Sequence, residues 1–373
     1  MNRTPPNSLL QAEVGTVVSV DRARPGAQEL TVRIRDAAER AINYPTLLGE
    51  VRAGEQVLLN TTAVRAGLGT GGYHFLMKRE EGEKRPTEEA GHIVKLRYTP
   101  LQFRCRSVEE EGSPYREAIE ACGGLDQMPV IVGGLHSQIA PAAAAVKAIR
   151  PESRIAYVMT DTAALPLAFS QLAARLKEVG LIDATITVGQ AFGGDYEAVN
   201  VFSGLLAARA VVGADIAIVA QGPGNVGTGT EWGFGSIAQG HEINAAAVLG
   251  GFPIAVPRIS FADSRPRHRG VSRQSLVALG RVALAEAVVA IPEMDPEKVE
   301  FVQRQLDDEG ITEKHEVLMV GGDIGLRALA ERGVEVTTMG RTPEQDPEFF
   351  LAAGAAGVLA AERLKWSDQS EKG

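Results

Sequence analysis

The pattern of apolar and polar positions changes once along the chain, near residue 90. Before that point short β-prone runs follow one another, with Gly or Pro between them and no helix-length amphipathic pattern. From His92 onward, apolar runs alternate with helix-like stretches. We therefore expect a small all-β domain over residues 1–85, a barrel or a sandwich, followed by a second domain over residues 91–373.

The first domain has five β-prone runs and a glycine-rich loop at residues 66–72. This loop either contributes to a ligand-binding cleft of the second domain or is a simple hairpin turn. Residues 78–90, KREEGEKRPTEEA, mix both charges with Gly and Pro, which indicates a solvated linker. The predicted strands are Val14–Val20, Glu29–Ile34, Arg40–Tyr44, Gln56–Asn60 and Tyr73–Met77.

In the second domain, predicted strands alternate with predicted helices along the whole sequence. Such alternation predicts an α/β fold, a doubly wound and mainly parallel sheet with helices on both faces. The predicted strands cover residues 130–132, 155–159, 184–188, 216–219, 253–260, 316–320 and 334–339. The predicted helices cover residues 141–149, 165–179, 241–249 and 272–288, with others starting near residues 196, 296, 323 and 346.

The stretch Asp215–Gly235, DIAIVAQGPGNVGTGTEWGFG, joins a buried strand to a glycine-rich loop. Its glycines let backbone N–H groups approach a ligand closely, and its small polar side chains suit an anionic group. The spacing fits neither the phosphate-loop nor the dinucleotide-binding pattern. The alternative is a tight structural turn. The candidate ligand-binding residues of the loop are Gly222, Gly224, Asn225, Gly227, Thr228, Gly229 and Thr230.

Clusters of polar residues fall just after strands and before helices. The carboxyl ends of parallel strands meet at one edge of a sheet, where ligands bind in open α/β folds. We therefore expect these clusters to share one cleft. Besides the glycine-rich loop, the expected members are His136, Ser137, Asp161, Thr162, Asp195, Asp263, Arg265, Arg267 and His268.

The residue types suggest roles within that cleft. Arg265 and Arg267 belong to the basic run RPRHR, and guanidinium groups bind carboxylate or phosphate; the alternative is a solvated loop. His136 and His268 are candidate catalytic acids or bases, although a single loop histidine is more often structural. Asp161 is a third catalytic candidate.

Two further types of chemistry can be weighed from the same residues. Asp161, Asp195 and Asp263 could hold a divalent ion such as Mg²⁺, but each also sits where an Asp caps a helix. Ser137 and Ser170 lack the G-x-S-x-G pattern, which argues against a hydrolase of that class. The metal and cofactor requirement therefore stays open.

Charge and composition narrow the partners. The net charge of −9 and the pI of about 5.4 argue against broad binding to nucleic acid or anionic membranes. Cys105 and Cys122 are too few for a disulfide framework. No apolar stretch has the length of a signal peptide or a membrane span, so we expect a cytoplasmic protein.

Six blocks of the sequence resemble a bacterial family catalogued as domain of unknown function 3866. The resemblance covers most of the chain and implies no activity. The blocks are LGTGGYHF (Leu68–Phe75), GGLHS (Gly133–Ser137), TDTAALP (Thr160–Pro166), FGGDYEAVN (Phe192–Asn200), GPGNVGTGT (Gly222–Thr230) and RISFADSRPRHRGVS (Arg258–Ser272).

These observations favour a protein that binds a small anionic metabolite, such as a phosphorylated one, at the carboxyl edge of the sheet. Whether it also transforms that metabolite as an enzyme stays open. One alternative is a metabolite sensor or assembly module without catalysis. Another, less favoured because the segment has few aromatic residues, is oligonucleotide binding through the N-terminal barrel. The Ala-rich helices near the C-terminus suggest a homodimer.

Overall fold

The computed structural model describes residues 10–68, 71–79 and 91–370, with side chains described as far as residue 364. The described residues form two units. One holds residues up to 79 together with residues 96–104, and the other holds residues 91–95 and those from 105 onward. Most of the predicted linker, and the centre of the glycine-rich loop at residues 66–72, lie outside the described residues.

The first unit contains a closed five-stranded barrel, which confirms the expected small β domain. Strand order around the barrel is β1-β2-β3-β5-β4, and β4 closes onto β1. Along β2, Leu30, Val32 and Ile34 point into the core while Thr31 and Arg33 are more exposed, the alternation that a barrel wall requires. The elements are β1 (Ala12–Arg24), β2 (Ala27–Ile34), β3 (Ala37–Asn43), α1 (Pro45–Leu48), β4 (Gln56–Asn60), α2 (Thr62–Arg65) and β5 (His74–Arg79).

The second unit is built on an eight-stranded parallel sheet of order β11-β10-β9-β12-β8-β13-β16-β17. The central strands are buried along their whole length, as expected for a sheet covered on both faces. The strands from residue 91 onward are β6 (Ile93–Lys95), β7 (Phe103–Cys105), β8 (Pro129–Gly133), β9 (Ile155–Thr160), β10 (Ala184–Val188), β11 (Tyr196–Ala198), β12 (Ile216–Gln221), β13 (Phe252–Val256), β14 (Ile259–Ser260), β15 (Gly270–Val271), β16 (Val288–Pro292) and β17 (Glu316–Val320).

Helices cover both faces of this sheet, which confirms the doubly wound α/β prediction. The chain runs from β8 through α4 past β12 to β9, and from β12 through α7 past β8 to β13. These crossovers go in opposite directions, so right-handed connections place α4 and α7 on opposite faces. The helices are α3 (Arg116–Ala121), α4 (Ile139–Ile149), α5 (Gln171–Glu178), α6 (Val201–Ala210), α7 (Ala238–Val248), α8 (Arg273–Val277), α9 (Pro296–Asp308), α10 (Ile311–Lys314), α11 (Asp323–Glu331) and α12 (Pro347–Ser370).

The Ala-rich helix α12 is an internal element. It packs against α4, β8, β13 and β16, and its alanines from Ala352 to Ala361 are fully buried. Small residues permit a very close approach, since a Cβ on Gly357 would lie 2.3 Å from the carbonyl oxygen of Ala142. The composition that suggested a dimer interface is thus explained by packing within one chain, and the dimer remains a prediction.

Several predicted elements differ from the structure. The strand predicted over residues 253–260 is broken into β13 and β14, and the helix predicted over residues 165–179 is a 3-10 turn followed by α5. The helix predicted for residues 272–288 is α8 and a π-helical turn over Ala278–Val282, followed by the unpredicted strand β16. A short apolar run reads alike as a buried strand or a buried helix, which explains that error. The strand predicted over residues 334–339 is irregular, and the helix predicted from Tyr196 begins at Val201.

We predict that Gly357→Ala lowers the free energy of unfolding by roughly 1–3 kcal/mol, because the added methyl group must push α12 away from α4. Urea unfolding followed by circular dichroism measures this change. Gly123→Ala is the matched control, because no atom lies within 4 Å of a Cβ at that position. Equal stability of the two variants would contradict the packing described here.

Candidate functional site

The path of the chain reverses direction at β8 and β12, at the centre of the parallel sheet. Connections leave these two neighbouring strands toward opposite sides, the arrangement that in open α/β sheets forms a ligand crevice at the carboxyl ends. The residues that follow β8, β9, β12 and β13 border this edge. They include His136, Thr162, Gly222 and Arg258.

His136 lies in the turn between β8 and α4 and is hydrogen-bonded at both ring nitrogens. Its Nε2 atom is 2.6 Å from Ser170 Oγ. Its Nδ1 atom is 3.0 Å from the hydroxyl of Tyr157 and 3.3 Å from the carbonyl oxygen of Gln221. The imidazole therefore joins the carboxyl ends of β8, β9 and β12 to the start of α5.

The partners of His136 define its tautomer and its charge. Ser170 Oγ accepts a hydrogen bond from the backbone N–H of Ala173, so its own proton is directed to His136 Nε2. The proton on the ring then resides on Nδ1, facing the carbonyl of Gln221. Burial lowers the pKa of His136 to about 4, and the ring is neutral at pH 7.

Three buried glutamines bind backbone carbonyl groups around this edge, and none of them was predicted from the sequence. Gln138 Nε2 donates to the carbonyl oxygens of Val256 and Pro257, both at 3.4 Å. Gln239 Nε2 donates to Val132 and Val256, both at 2.9 Å. Gln221 Nε2 donates to Gly134 at 3.1 Å. They satisfy carbonyls that a parallel sheet leaves open where its strands end.

The loop after β12 folds back on itself as a small hairpin. The N–H of Thr228 donates to the carbonyl of Gly233 at 2.8 Å, and the N–H of Gly235 donates to that of Val226 at 2.9 Å. The hydroxyls of Thr228 and Thr230 lie 2.8 Å apart. Several of the N–H and hydroxyl groups that suggested an anion-binding loop therefore form hydrogen bonds within the loop itself.

Two of the remaining members of that loop, Gly222 and Asn225, have structural contacts at its base. A Cβ on Gly222 would lie 2.4 Å from the carbonyl oxygen of Ala164, so close packing requires glycine there. Asn225 Oδ1 accepts from the N–H of Ser236 at 3.1 Å. The residues Gly224, Gly227 and Gly229 are exposed. The structure thus brings the base of the loop to the edge of the sheet, while its tip lies in solvent.

A cluster of charged side chains follows β13. The carboxylate of Asp263 is 2.9 Å from Arg258, 2.7 Å from Arg265 and 3.6 Å from Arg341. Arg341 also donates to Asp346 at 2.8 Å. The hydrogen bond from Arg265 is the largest cause that holds the pKa of Asp263 well below its usual range. These three arginines and two aspartates are called the arginine cluster below.

The arginine cluster connects to the turn that carries His136. Ser137 Oγ lies 3.4 Å from Thr338 Oγ1, and Thr338 pairs through both backbone groups with Arg341 in a tight turn. Gln138 reaches Pro257, the residue before Arg258. The ends of β8 and β13 therefore belong to one continuous polar network.

Of the other predicted residues in this region, His268 is buried and Arg267 is exposed. His268 Nδ1 is 2.7 Å from Ser272 Oγ. Burial, with smaller contributions from Arg258 and Arg265, lowers the pKa of His268 to about 4. His268 is therefore a neutral, enclosed ring at pH 7, and Arg267 faces solvent.

The structure does not bring the three predicted metal-binding aspartates together. Asp195 lies at the amino end of β10, where its carboxylate accepts from the N–H and hydroxyl of Thr185 and pairs with Lys177. Asp161 accepts from the N–H of Gln190 at 2.8 Å, and Asp263 is surrounded by arginines. The expectation that Asp195 shares the cleft was wrong because residues 189–195 return along β10 before β11 begins. Within the described part of the chain, no group of three His, Cys, Asp or Glu could hold a metal ion.

One buried carboxyl group near the edge was missed by the sequence analysis. Glu242, on α7, accepts a 2.8 Å hydrogen bond from Thr160 Oγ1 at the end of β9. Burial raises the pKa of Glu242 to about 7, with the charge of Asp161 acting in the same direction. The only signal in the sequence was a single glutamate beside the Ala-rich half of α7.

These features define an α/β protein whose polar groups concentrate at the switch point of a doubly wound sheet. The family model described as "Protein of unknown function (DUF3866)" matches residues 40–357, most of the chain. The chain belongs to this family, which confirms the resemblance seen in its sequence. No curated protein and no solved structure matches it. Among the described residues, no helix has the length and apolar character needed to cross a membrane.

We predict that Asp263→Asn lowers the free energy of unfolding by roughly 3–5 kcal/mol, because it leaves the buried guanidinium of Arg258 without its counter-charge. Chemical denaturation at pH 7 measures the loss. In the control Asp126→Asn, an exposed carboxylate 3.4 Å from Arg209 is neutralised, and we expect a change within about 0.5 kcal/mol. Similar losses in both variants would show that Asp263 does not hold the cluster together.

The neutral state of His136 predicts a pH dependence of stability. Its folded-state pKa of about 4 lies below the roughly 6.5 of a free imidazole. The stabilisation is therefore complete above pH 6.5 and is lost as the pH falls toward 4. Between pH 7 and 5 the wild type should lose about 1–2 kcal/mol more than His136→Gln in urea unfolding. An equal loss in both proteins would contradict the assignment.

Proposed function

We propose that the protein binds a small anionic metabolite at the carboxyl ends of β8 and β13 and transfers a proton to or from it. The observation that supports this proposal is the charge of the arginine cluster. Three guanidinium groups surround two carboxylates, which leaves one positive charge uncompensated. The edge of an open α/β sheet is also where ligands of this fold class bind.

The exposure of the cluster supports binding of a ligand from solvent. The side chain of Asp263 is only 2% exposed, whereas those of Arg265 and Arg341 are 43% and 23% exposed. The carboxylate lies beneath, and guanidinium edges face outward. A guanidinium group binds carboxylate and phosphate through paired N–H groups, so these two residues suit either anion.

Arg267 adds a second positive charge two residues from Arg265. It is exposed, and it forms no ion pair with any residue that the structure describes. In a chain of net charge −9, this concentration of arginine attracts anions locally. Arg267 can also be changed without disturbing the buried pairs around Asp263.

Proton transfer is assigned to His136. Its ring is neutral at pH 7, and a neutral imidazole is the form that accepts a proton. His136 as a residue is half-buried, and its turn is connected to the arginine cluster through Ser137 and Thr338. Asp161 and His268 receive no role, because the side chain of His268 is hydrogen-bonded to Ser272 and that of Asp161 to the backbone of Gln190.

We expect inorganic pyrophosphate and citrate to raise the melting temperature of the wild type beyond the effect of sodium chloride at equal ionic strength. A ligand that binds only the folded state must do so, by an amount set by its concentration relative to its Kd. We expect the shift to fall by at least half in Arg267→Ala at a subsaturating concentration, and differential scanning fluorimetry measures it.

The control is Arg304→Ala, which removes an exposed arginine of α9 at a distance from the cluster in sequence and should keep the full shift. The proposal fails if neither anion stabilises the wild type. It also fails if Arg267→Ala and Arg304→Ala respond equally.

A further inference from the structure

We propose that Ser170 is the nucleophile of an acyl-transfer reaction and that His136 is its general base. The two side chains are already paired, with Ser170 Oγ 2.6 Å from His136 Nε2. A nucleophile and base within hydrogen-bonding distance, with the base held by a third group, is the arrangement that activates serine in unrelated folds. The absence of a G-x-S-x-G pattern excludes one such fold class, not this chemistry.

The opposite side of the imidazole supplies the third group. The carbonyl of Gln221 and the hydroxyl of Tyr157 lie 3.3 and 3.0 Å from His136 Nδ1. They hold the proton on Nδ1, so that Nε2 presents its lone pair to Ser170. Neither group carries a charge, so the Ser170–His136 pair differs from catalytic triads in which a carboxylate holds the histidine.

The environment of Ser170 favours the same direction of proton transfer. Ser170 is the N-cap residue of the eight-residue helix α5, and its Oγ accepts the N–H of Ala173 at 2.9 Å. An N-cap hydroxyl usually donates its proton to water, but Ser170 is 2% exposed and donates to His136. The positive end of the helix dipole also favours loss of the proton from Oγ.

The loop before α5 fixes this position. Phe192 and the residues around Pro166 pair through their backbones, with Leu167 N donating to Phe192 O at 2.8 Å and Phe192 N donating to Leu165 O at 2.9 Å. Ser170 N then donates to Leu167 O at 2.9 Å. The nucleophile is therefore carried by a bonded turn, and the base by the adjoining strand end.

The reaction can be written with all atoms accounted for. Ser170 Oγ attacks the carbonyl carbon of an ester while its proton passes to His136 Nε2. The bond to the leaving alcohol breaks, and His136 returns the proton to that alcohol. Water then attacks the acyl-serine, His136 takes a proton from the water, and the proton returns to Ser170 Oγ as the carboxylic acid leaves. No oxidant, reductant or metal is required.

The substrate class is an ester that carries an anionic group, and this part rests on the proposed function of the arginine cluster. The assignment of Ser170 and His136 does not. A neutral ester tests the nucleophile alone, whereas an ester with a free carboxylate tests both.

The first experiment treats the full-length protein with an alkyl fluorophosphonate and locates the adduct by peptide mass spectrometry. We expect one adduct on Ser170, no adduct in Ser170→Asn, and at least a 10-fold slower reaction in His136→Gln. Asn preserves the cap of α5, because Asn and Ser are equally good N-caps, and circular dichroism checks that the variant folds. Ser19→Ala, which removes a hydroxyl of the N-terminal barrel that pairs with Asp21, is the matched control and should react like the wild type.

No adduct in the wild type, or an adduct at another residue that persists in Ser170→Asn, would overturn the proposal. The second experiment compares p-nitrophenyl acetate with a p-nitrophenyl ester bearing a free carboxylate. We expect a KM at least 5-fold lower for the anionic ester and no such preference in Arg267→Ala. An adduct on Ser170 without that preference would reject the anion site and retain the nucleophile.

Discussion

The second unit depends on satisfying the backbone carbonyls where its central strands end. Strands β8 and β13 stop side by side, and their last carbonyl groups would otherwise be buried without partners. Gln138 and Gln239, at the starts of helices on opposite faces, both donate to Val256. Gln221 binds the carbonyl of Gly134 from the neighbouring strand. These amides help to fix the turn that carries His136 and so support the candidate site.

The arginine cluster depends on the pairing of buried charges. Burying a charge is tolerated only with close opposite charges and hydrogen bonds. Asp263 is nearly inaccessible yet ionised because Arg258, Arg265 and Arg341 contact it. The same contacts remove Asp263 from any role as a metal ligand and reduce the number of N–H groups of Arg265 that remain for a ligand. A basic run in the sequence thus combines residues that stabilise the fold with one, Arg267, that faces solvent.

Much of the fold could be predicted from the sequence, because strands buried on both faces have a distinct apolar pattern. The strands β4, β10 and β17 were predicted with their observed bounds. The strand β16 was missed because the Ala-rich segment before it gave it a helical context. The site was harder to predict. That residues from successive loops meet at one edge follows from topology, but Asp195 returns to the other end of β10, and the pairing of His136 with Ser170 joins residues 34 positions apart. No periodicity encodes such a contact.

The position of α12 has a consequence for the order in which the protein folds. This helix contacts β8, β13 and β16, and its buried alanines follow all three strands in the sequence. Until residues 347–361 have been synthesised, these strands lack the cover that α12 gives them. The sheet therefore cannot complete its core before α12 docks, and the nascent chain exposes apolar surface until then.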